Sequence, residues 1–440
     1  MPPTRSMRAS APSAGGAGWP LLPARTDRRH DEDSKGTRHE MGRLRRAEGG
    51  LGARAREDGP TVKLPIKIAA GVCSLAATLL LLDGCRGPDP AAPRHSHFEL
   101  NEAEIAGNPD LAEDPEARIA LSRALTETFG SLAVPRYLVL DDWRRQGFDP
   151  NRWPMGESAE EGAEALGEEQ RPSLAESAAL YAGRCARCHG FSGGGNGPMA
   201  ARLDTRPRDY RHGVFKKTPL AHGSRPRHED LVRMLADGIS GTAMPSWGPH
   251  LTVAEIAGLA DFVRLLAIRG ETERMAIIDY DAFDGFDQDA FRGYYELVVT
   301  RWLGGGEQLI LPGHRPEATP ERIAHGESLF LDPRGAGCVR CHGREGHGDG
   351  EASLVPDPLT GEPVPFLDEW GNPIRPRDLV CSPLRFGERP EDLFRRIHEG
   401  INGTPMPAHG GLLVTEPDGT RHSLNDEDIW DLVFYVQSLR

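Results

Sequence analysis

The chain has 440 residues, 38% hydrophobic and 27% charged, with 52 Lys+Arg against 66 Asp+Glu and a formal net charge of −14. That length allows more than one core. The acidic balance argues against nucleic acid and anionic membrane surfaces as partners.

Residues 1–60 are rich in Arg, Gly, Ala and Pro without apolar periodicity, and are expected to be disordered or untranslated. Residues 61–84 have the pattern of a secretory signal: Lys63 and Lys67 form a basic start, and Ile68 to Leu82 an apolar run too short for a membrane span. The run ends Leu82-Asp83-Gly84-Cys85, which resembles a bacterial lipoprotein acylation site, with Asp83 a departure from the small or apolar residue usual there. Cys85 is therefore the expected lipidated N-terminus of the mature protein. Ordinary secretion, or retention of the helix as an anchor, stays open. A signal this far into the chain suggests a later start, with Met41 and Val62 as candidates. Residues 85–170 are expected to form a tether and a helical N-terminal region, with a helix pattern around Asp114 to Phe129.

CARCH then stands at Cys185, Cys188 and His189, and CVRCH at Cys338, Cys341 and His342. C-x-x-C-H is the attachment sequence for c-type haem. Two thiols one helical turn apart can add to the two vinyl groups on one edge of a porphyrin. The next His then lies beneath the ring, where its imidazole can ligate iron. A zinc or redox C-x-x-C pair is the competing reading. Zinc would need a second ligand pair at matching spacing, and neither copy has one nearby.

Both motifs sit in a longer repeat. CHGFSGGGNG leads to RPRDY (Arg206 to Tyr210) and GISGTAMPSW (Gly238 to Trp247); CHGREGHGDG leads to RPRDL (Arg375 to Leu379) and GINGTPMPAH (Gly400 to His409). Met-Pro recurs in register as Met244-Pro245 and Met406-Pro407. Met is a soft thioether ligand that raises the potential of a haem used for electron transfer, and the proline stiffens its loop. Met199 has Ala352 as its counterpart and reads as packing. Within RPRD, Arg208 and Arg377 are the candidates for charge-assisted bonds to haem propionates.

Helix patterns flank each motif. Ser173 to Cys185 brings Leu180 and Tyr181 to the first attachment site, and Leu329 and Phe330 take those places at the second. The closing stretches repeat Ile256, Leu259, Phe262, Val263 and Ile429, Leu432, Tyr435, Val436 at helical spacing. Thr252 before Glu255, and Asn425 before Asp428, read as N-caps. A further helix pattern, FRGYYELVVTRWL, lies in the 271–319 linker.

On these motifs both halves resemble class I cytochrome c domains, over residues 171–270 and 320–440. The resemblance implies an all-α fold: two tandem haem domains, a helical N-terminal segment and a helical inter-domain segment. It also implies two covalently bound haem c groups and an electron-carrier role with no catalytic residue. Tandem copies resemble the dihaem cytochromes of bacterial respiratory chains, including the dihaem subunit of cbb-type oxidases. That subunit carries membrane helices, whereas nothing from residue 86 onward is apolar enough to span a bilayer.

Removing residues 1–84 leaves 38 basic and 57 acidic residues, which favours a redox partner with a basic docking face: a respiratory complex, an oxidase or a small cytochrome. The expected location is the periplasmic side of a bacterial membrane, lipid-anchored, or the soluble periplasm. Cys73 leaves with the signal, four cysteines hold haem, and Cys381 is expected to be a buried thiol. The alternative function is a dihaem redox enzyme, such as a peroxidase or a thiosulfate-oxidising cytochrome. That chemistry needs one open iron site, against which the Met signature shared by both copies speaks; His347, beside the second motif, is a candidate distal residue but reads more simply as a loop side chain.

Overall fold

The computed structural model describes residues 97–152, 171–216, 218–280, 285–304, 309–416 and 418–440. The leader at 1–60, the signal at 61–84 and Cys85 lie outside the described residues.

The chain enters through three short helices, α1 (Glu102–Ala106), α2 (Pro109–Glu113) and α3 (Pro115–Phe129). The last two start for local reasons. Pro109 and Pro115 stand at the first helical position, where a missing N–H costs nothing. The Asn108 and Asp114 side chains accept from the free N–H groups of Leu111 and of Glu116 and Ala117. After α4 (Asp141–Arg145) come the helices of the first unit: α5 (Leu174–Arg184), α6 (Ala186–His189), α7 (His228–Asp237) and α8 (Val253–Ile278). Then α9 (Gln288–Leu303) packs back along α8. Capping boxes start α5 at Ser173 and α8 at Thr252, the latter with the Glu255 carboxylate read from the sequence.

The α8 helix runs two turns beyond the apolar pattern, which fades at Gly270. Of its 26 residues, 20 are buried, because the first unit covers one side while α1, α3 and α9 cover the other. Its charged residues are buried with partners: Asp261 with Arg171 and Arg264, Glu271 with Arg225 and the Trp302 indole, and Glu273 with Arg269. Phe129, Trp143 and Tyr295 pack in edge-on or tilted contacts within the same core. The N-terminal and linker segments, whose place the sequence leaves open, are thus layers of the first unit.

The second unit holds α10 (Pro320–Leu331), α11 (Val339–His342), α12 (Pro390–Glu399) and α13 (Asp426–Ser438) around its own core of Phe330, Phe394, Trp430 and Val433. α10 crosses α13 at Gly326, where a Cβ would lie 2.0 Å from the Asp431 carbonyl oxygen. Only glycine lets these helices approach so closely.

The two units are helical, as expected, but not purely so. Leu354–Pro356, Pro363–Leu367 and Pro373–Ile374 form a three-stranded antiparallel sheet, β1 to β3, and Leu413–Thr415 with Arg421–Ser423 form the hairpin β4–β5. Both occur where the second copy is longer than the first, between Gly350 and Arg375 and between His409 and Asn425. Turn chemistry made them: the Asp357 carboxylate accepts from Leu359 and Thr360, and the Asp418 carboxylate from Thr420. Among the described residues no helix is long and apolar enough to cross a membrane.

Candidate haem sites

Each C-x-x-C-H forms one helical turn, α6 or α11. In the first copy the Cys185 carbonyl accepts from Cys188 and His189; in the second the Cys338 carbonyl accepts from Cys341 and His342. Gly190 and Gly343 end the turns with φ of +75° and +78°, in the left-handed region that glycine enters freely. The glycine-rich loop then folds back beneath the turn by the same three bonds in both copies. Gly195, Gly197 and Met199 donate to His189, Cys188 and Arg187; Gly348, Gly350 and Ala352 donate to His342, Cys341 and Arg340. The repeat is thus a repeat of hydrogen bonds, not only of letters.

The helix pair behind each turn is built alike. Tyr181 on α5 meets Phe262 on α8 with ring centroids 5.2 Å apart, and Phe330 on α10 meets Tyr435 on α13 at 5.2 Å. Tyr and Phe have exchanged places while the contact is kept. The Tyr181 hydroxyl donates to the Gly190 carbonyl, tying α5 to the turn it feeds.

His342 Nδ1 lies 3.1 Å from the Arg377 carbonyl oxygen. Such a bond fixes the tautomer and leaves Nε2 as the free ligating nitrogen. In the first copy His189 Nδ1 is buried without a hydrogen-bond partner, and burial pushes the pKa of the ring down to about 4. Burial lowers His342 as well. Both rings are therefore neutral at pH 7, the form that offers a lone pair to a metal. His189 also stacks on Tyr210, 4.8 Å away. Burial pushes the Cys185 and Cys338 thiols up to about 12, so both stand protonated, with the proton that addition across a vinyl group transfers to carbon.

The methionine loops match bond for bond. Ile239 N–H donates to the Met244 carbonyl, and Ile401 N–H to that of Met406. The Thr242 and Thr404 hydroxyls donate to the Ile239 and Ile401 carbonyls, and accept from Met244 and Met406 N–H at 3.1 and 3.3 Å. Threonine, part of the repeated string but without an assigned role in the sequence, is the residue that clamps the methionine.

In the first unit these parts meet. One cavity is lined by Cys185, Cys188 and His189 together with Met244 and Pro245, and by Leu259, Val263 and Arg208. Met199 is not among its lining residues. This donor set fits haem c: two thiols for thioether bonds, one imidazole and one thioether sulfur for iron. Arg208 reaches the cavity while pairing with Asp368 at 2.6 Å, and Arg377 donates to the Pro383 carbonyl. In the second unit Cys338, Cys341 and His342 share the turn, and Met406 is held in its loop. His409, where the first copy has Trp247, is buried close enough to His342 to depress its pKa.

One expectation for the second unit needs correction. Cys381 is exposed, not buried, because it sits on the turn after RPRDL, where the Asp378 side chain takes up its N–H. His347 stands beside Asp378, with Nδ1 3.6 Å from the carboxylate. Together with Cys381 their ligand atoms lie within 4.8 Å of one another.

Two family models agree with this geometry. Residues 172–263 match the family described as cytochrome c oxidase, cbb3-type, subunit III, and residues 323–440 match the family described as cytochrome c. Two curated proteins, both described as probable inorganic carbon transporter subunit DabA, are 34% identical over 117 residues (Xanthomonas axonopodis pv. citri) and 36% identical over 93 (Xanthomonas euvesicatoria pv. vesicatoria). These alignments cover 26% and 20% of this chain, and only 14% and 11% of those proteins. Among solved structures, the Kuenenia stuttgartiensis reducing HAO-like protein complex contains a chain that is 24% identical, with a TM-score of 0.43, over 59% of this chain and 93% of that one. With a family match around each motif and one ligand turn repeated bond for bond, the chain carries two cytochrome c-type domains in tandem, the domain type that binds haem c covalently.

Proposed function

We propose that this protein is a periplasmic, membrane-anchored dihaem c-type cytochrome that passes electrons between respiratory complexes by outer-sphere transfer. The observation that carries the reading is the twofold occurrence of one ligand set, with His189 and Met244 in the first unit and His342 and Met406 in the second. Haem c would supply the one-electron chemistry. The protein would hold it at Cys185/Cys188 and Cys338/Cys341, orient the His342 imidazole through the Arg377 carbonyl, and offer a clamped methionine as a second ligand in each unit. Outer-sphere transfer then needs only a haem edge near the surface and a docking face. The acidic balance of residues 85–440 favours a basic partner, with steering that weakens as salt rises.

Intact mass after maturation in a periplasm tests the count: two haems added, retained in acidified acetone, are expected. One haem, or extractable haem, would end the dihaem reading.

Location belongs to the same proposal. The basic start at Lys63 and Lys67, the apolar run to Leu82 and the Cys85 site support export with lipidation. Each buried methylene of an acyl chain contributes about 0.8 kcal/mol to membrane binding, so several chains hold a protein stably. Cys85→Ser should release haem protein into the soluble periplasm; an unchanged membrane fraction would point to an uncleaved anchor.

A further inference from the structure

The cavity around Cys185, His189 and Met244 is not walled by the first unit alone. Arg385 and Phe386, from the loop that leads into α12 of the second unit, line it as well. Phe386 has φ of +68°, and among the described residues it is the non-glycine residue in that region. A bulky side chain stays there only where the surroundings impose it, which makes such a position a pointer to function. The loop is held from behind by Arg396, which donates to the Arg385 and Gly387 carbonyls.

Arg385 sits among other cations. Its Nη2 donates to Thr205 Oγ1 at 3.0 Å, across the unit boundary, while its Nε is buried without a hydrogen-bond partner. Next to it, Arg208 Nη1 and Lys216 Nζ converge on one oxygen of Asp368, at 2.6 and 2.9 Å. Both cations lie over the Trp370 ring, whose indole donates to the Asp209 carbonyl. Asp368 and Trp370 belong to the β2–β3 turn of the second unit, the insertion that the first copy lacks. Two of the three cations thus share one buried carboxylate, and Asp204 is the carboxylate acting on Arg385. Burial and mutual repulsion pull Lys216 down to about 8 and lower Arg385 too. The cluster is short of negative charge at the edge of the cavity.

Resting on the reading of the first site as a haem site, we propose that Arg385 of the second unit joins Arg208 and Lys216 of the first to seat the two propionates of the first haem. That site is then complete only when the two units are docked. Charges on the second unit set the potential of the first haem, and the β2–β3 turn is the strut that holds the shared edge together. Arg377 marks the same closeness: its Nη2 would lie 2.8 Å from a Cβ placed on Gly241, in the loop that carries Met244.

The test is a visible-spectrum redox titration of the full-length protein with both haems attached. Oxidised haem carries one more positive charge, so removing a nearby cation favours it. Arg385→Gln should lower one of the two potentials and leave the other in place, and Arg385→Lys should restore most of it. Asp368→Asn removes a negative charge and should raise that same potential. Met406→Ala assigns the remaining wave to the second haem. The proposal is overturned if neither potential moves in Arg385→Gln, or if the wave that moves is the second haem's. Should Arg385→Gln fail to mature, Asp368→Asn decides: a rise confined to the first haem supports the seat, and no shift overturns it. Wild-type protein without haem at Cys185/Cys188 would instead overturn the underlying reading, before any variant is measured.

Discussion

Met406→Ala should convert a ferrous haem that takes up no carbon monoxide at neutral pH into one that binds a full equivalent. The expected cause is local. Thr404 holds the Met406 N–H, Ile401 holds its carbonyl, and Pro407 stiffens the exit, so the thioether is presented by a closed loop. Truncation to alanine removes the sulfur but none of these backbone bonds, so the loop persists with an open position beneath it. The potential of that haem should fall as well, since methionine ligation raises it. Met244→Ala should do the same in the first unit, where the methionine and His189 line one cavity. Carbon monoxide difference spectra and a redox titration of the two variants check both statements. Rapid binding by the unmutated protein would favour the enzyme reading over the carrier. No binding by either variant would remove the methionines from the ligand set.

Glu273→Ala is expected to cost about 3–5 kcal/mol of stability, the range for removing one partner of a buried ion pair. Glu273 is 0% exposed. One of its oxygens accepts from Arg269 Nη1 at 2.9 Å and the other from the Asn101 N–H at 2.7 Å. Arg269, 2% exposed, also donates to the Glu99 carbonyl and lies over Phe98. Alanine would strand a buried guanidinium and a buried N–H at once, and loosen α1 from α8. Glu273→Gln keeps an acceptor for both donors and should cost less. Urea unfolding followed by far-ultraviolet circular dichroism gives the difference. A loss under about 1 kcal/mol would show that Arg269 finds other acceptors and that this pair is not what fastens the N-terminal helices.

Much of the site was legible because its chemistry is local. Cys185, Cys188 and His189 must lie on one helical turn whatever surrounds them, and the spacing alone states that. The Met-Pro strings were legible because they recur in register. Thr252 and Asn425 were legible as caps, since a cap bonds within three residues, and both form capping boxes. The roles of Thr242 and Thr404 had a signal, repetition, but no chemistry attached until their hydroxyls were seen to hold the methionine backbone.

What the sequence did not yield depends on residues far apart in the chain. The end of α8 was missed because its last turns carry Arg269, Glu271 and Glu273, which in isolation mark a solvated face. The segment some 170 positions earlier covers them, bringing Asn101 to Glu273 and Glu104 to the neighbouring Arg274. The burial expected of Cys381 failed for the opposite reason: a thiol reads as core, yet a turn capped by Asp378 holds it at the surface. The two small sheets lie in segments whose turns are visible as Asp-Pro and Asp-Gly, but nothing within those segments states what they are for. By itself the sequence determined the ligand turns, the methionine loops and the helix pairs behind them, all set by spacing along one chain direction. Only the tertiary structure decided that the N-terminal and linker helices join the first core, that Arg385 and Phe386 of the second unit line the first cavity, and that Asp368 and Trp370 meet Arg208 and Lys216 at its edge. Such contacts are set by charge and shape meeting across the fold, and no local pattern encodes them.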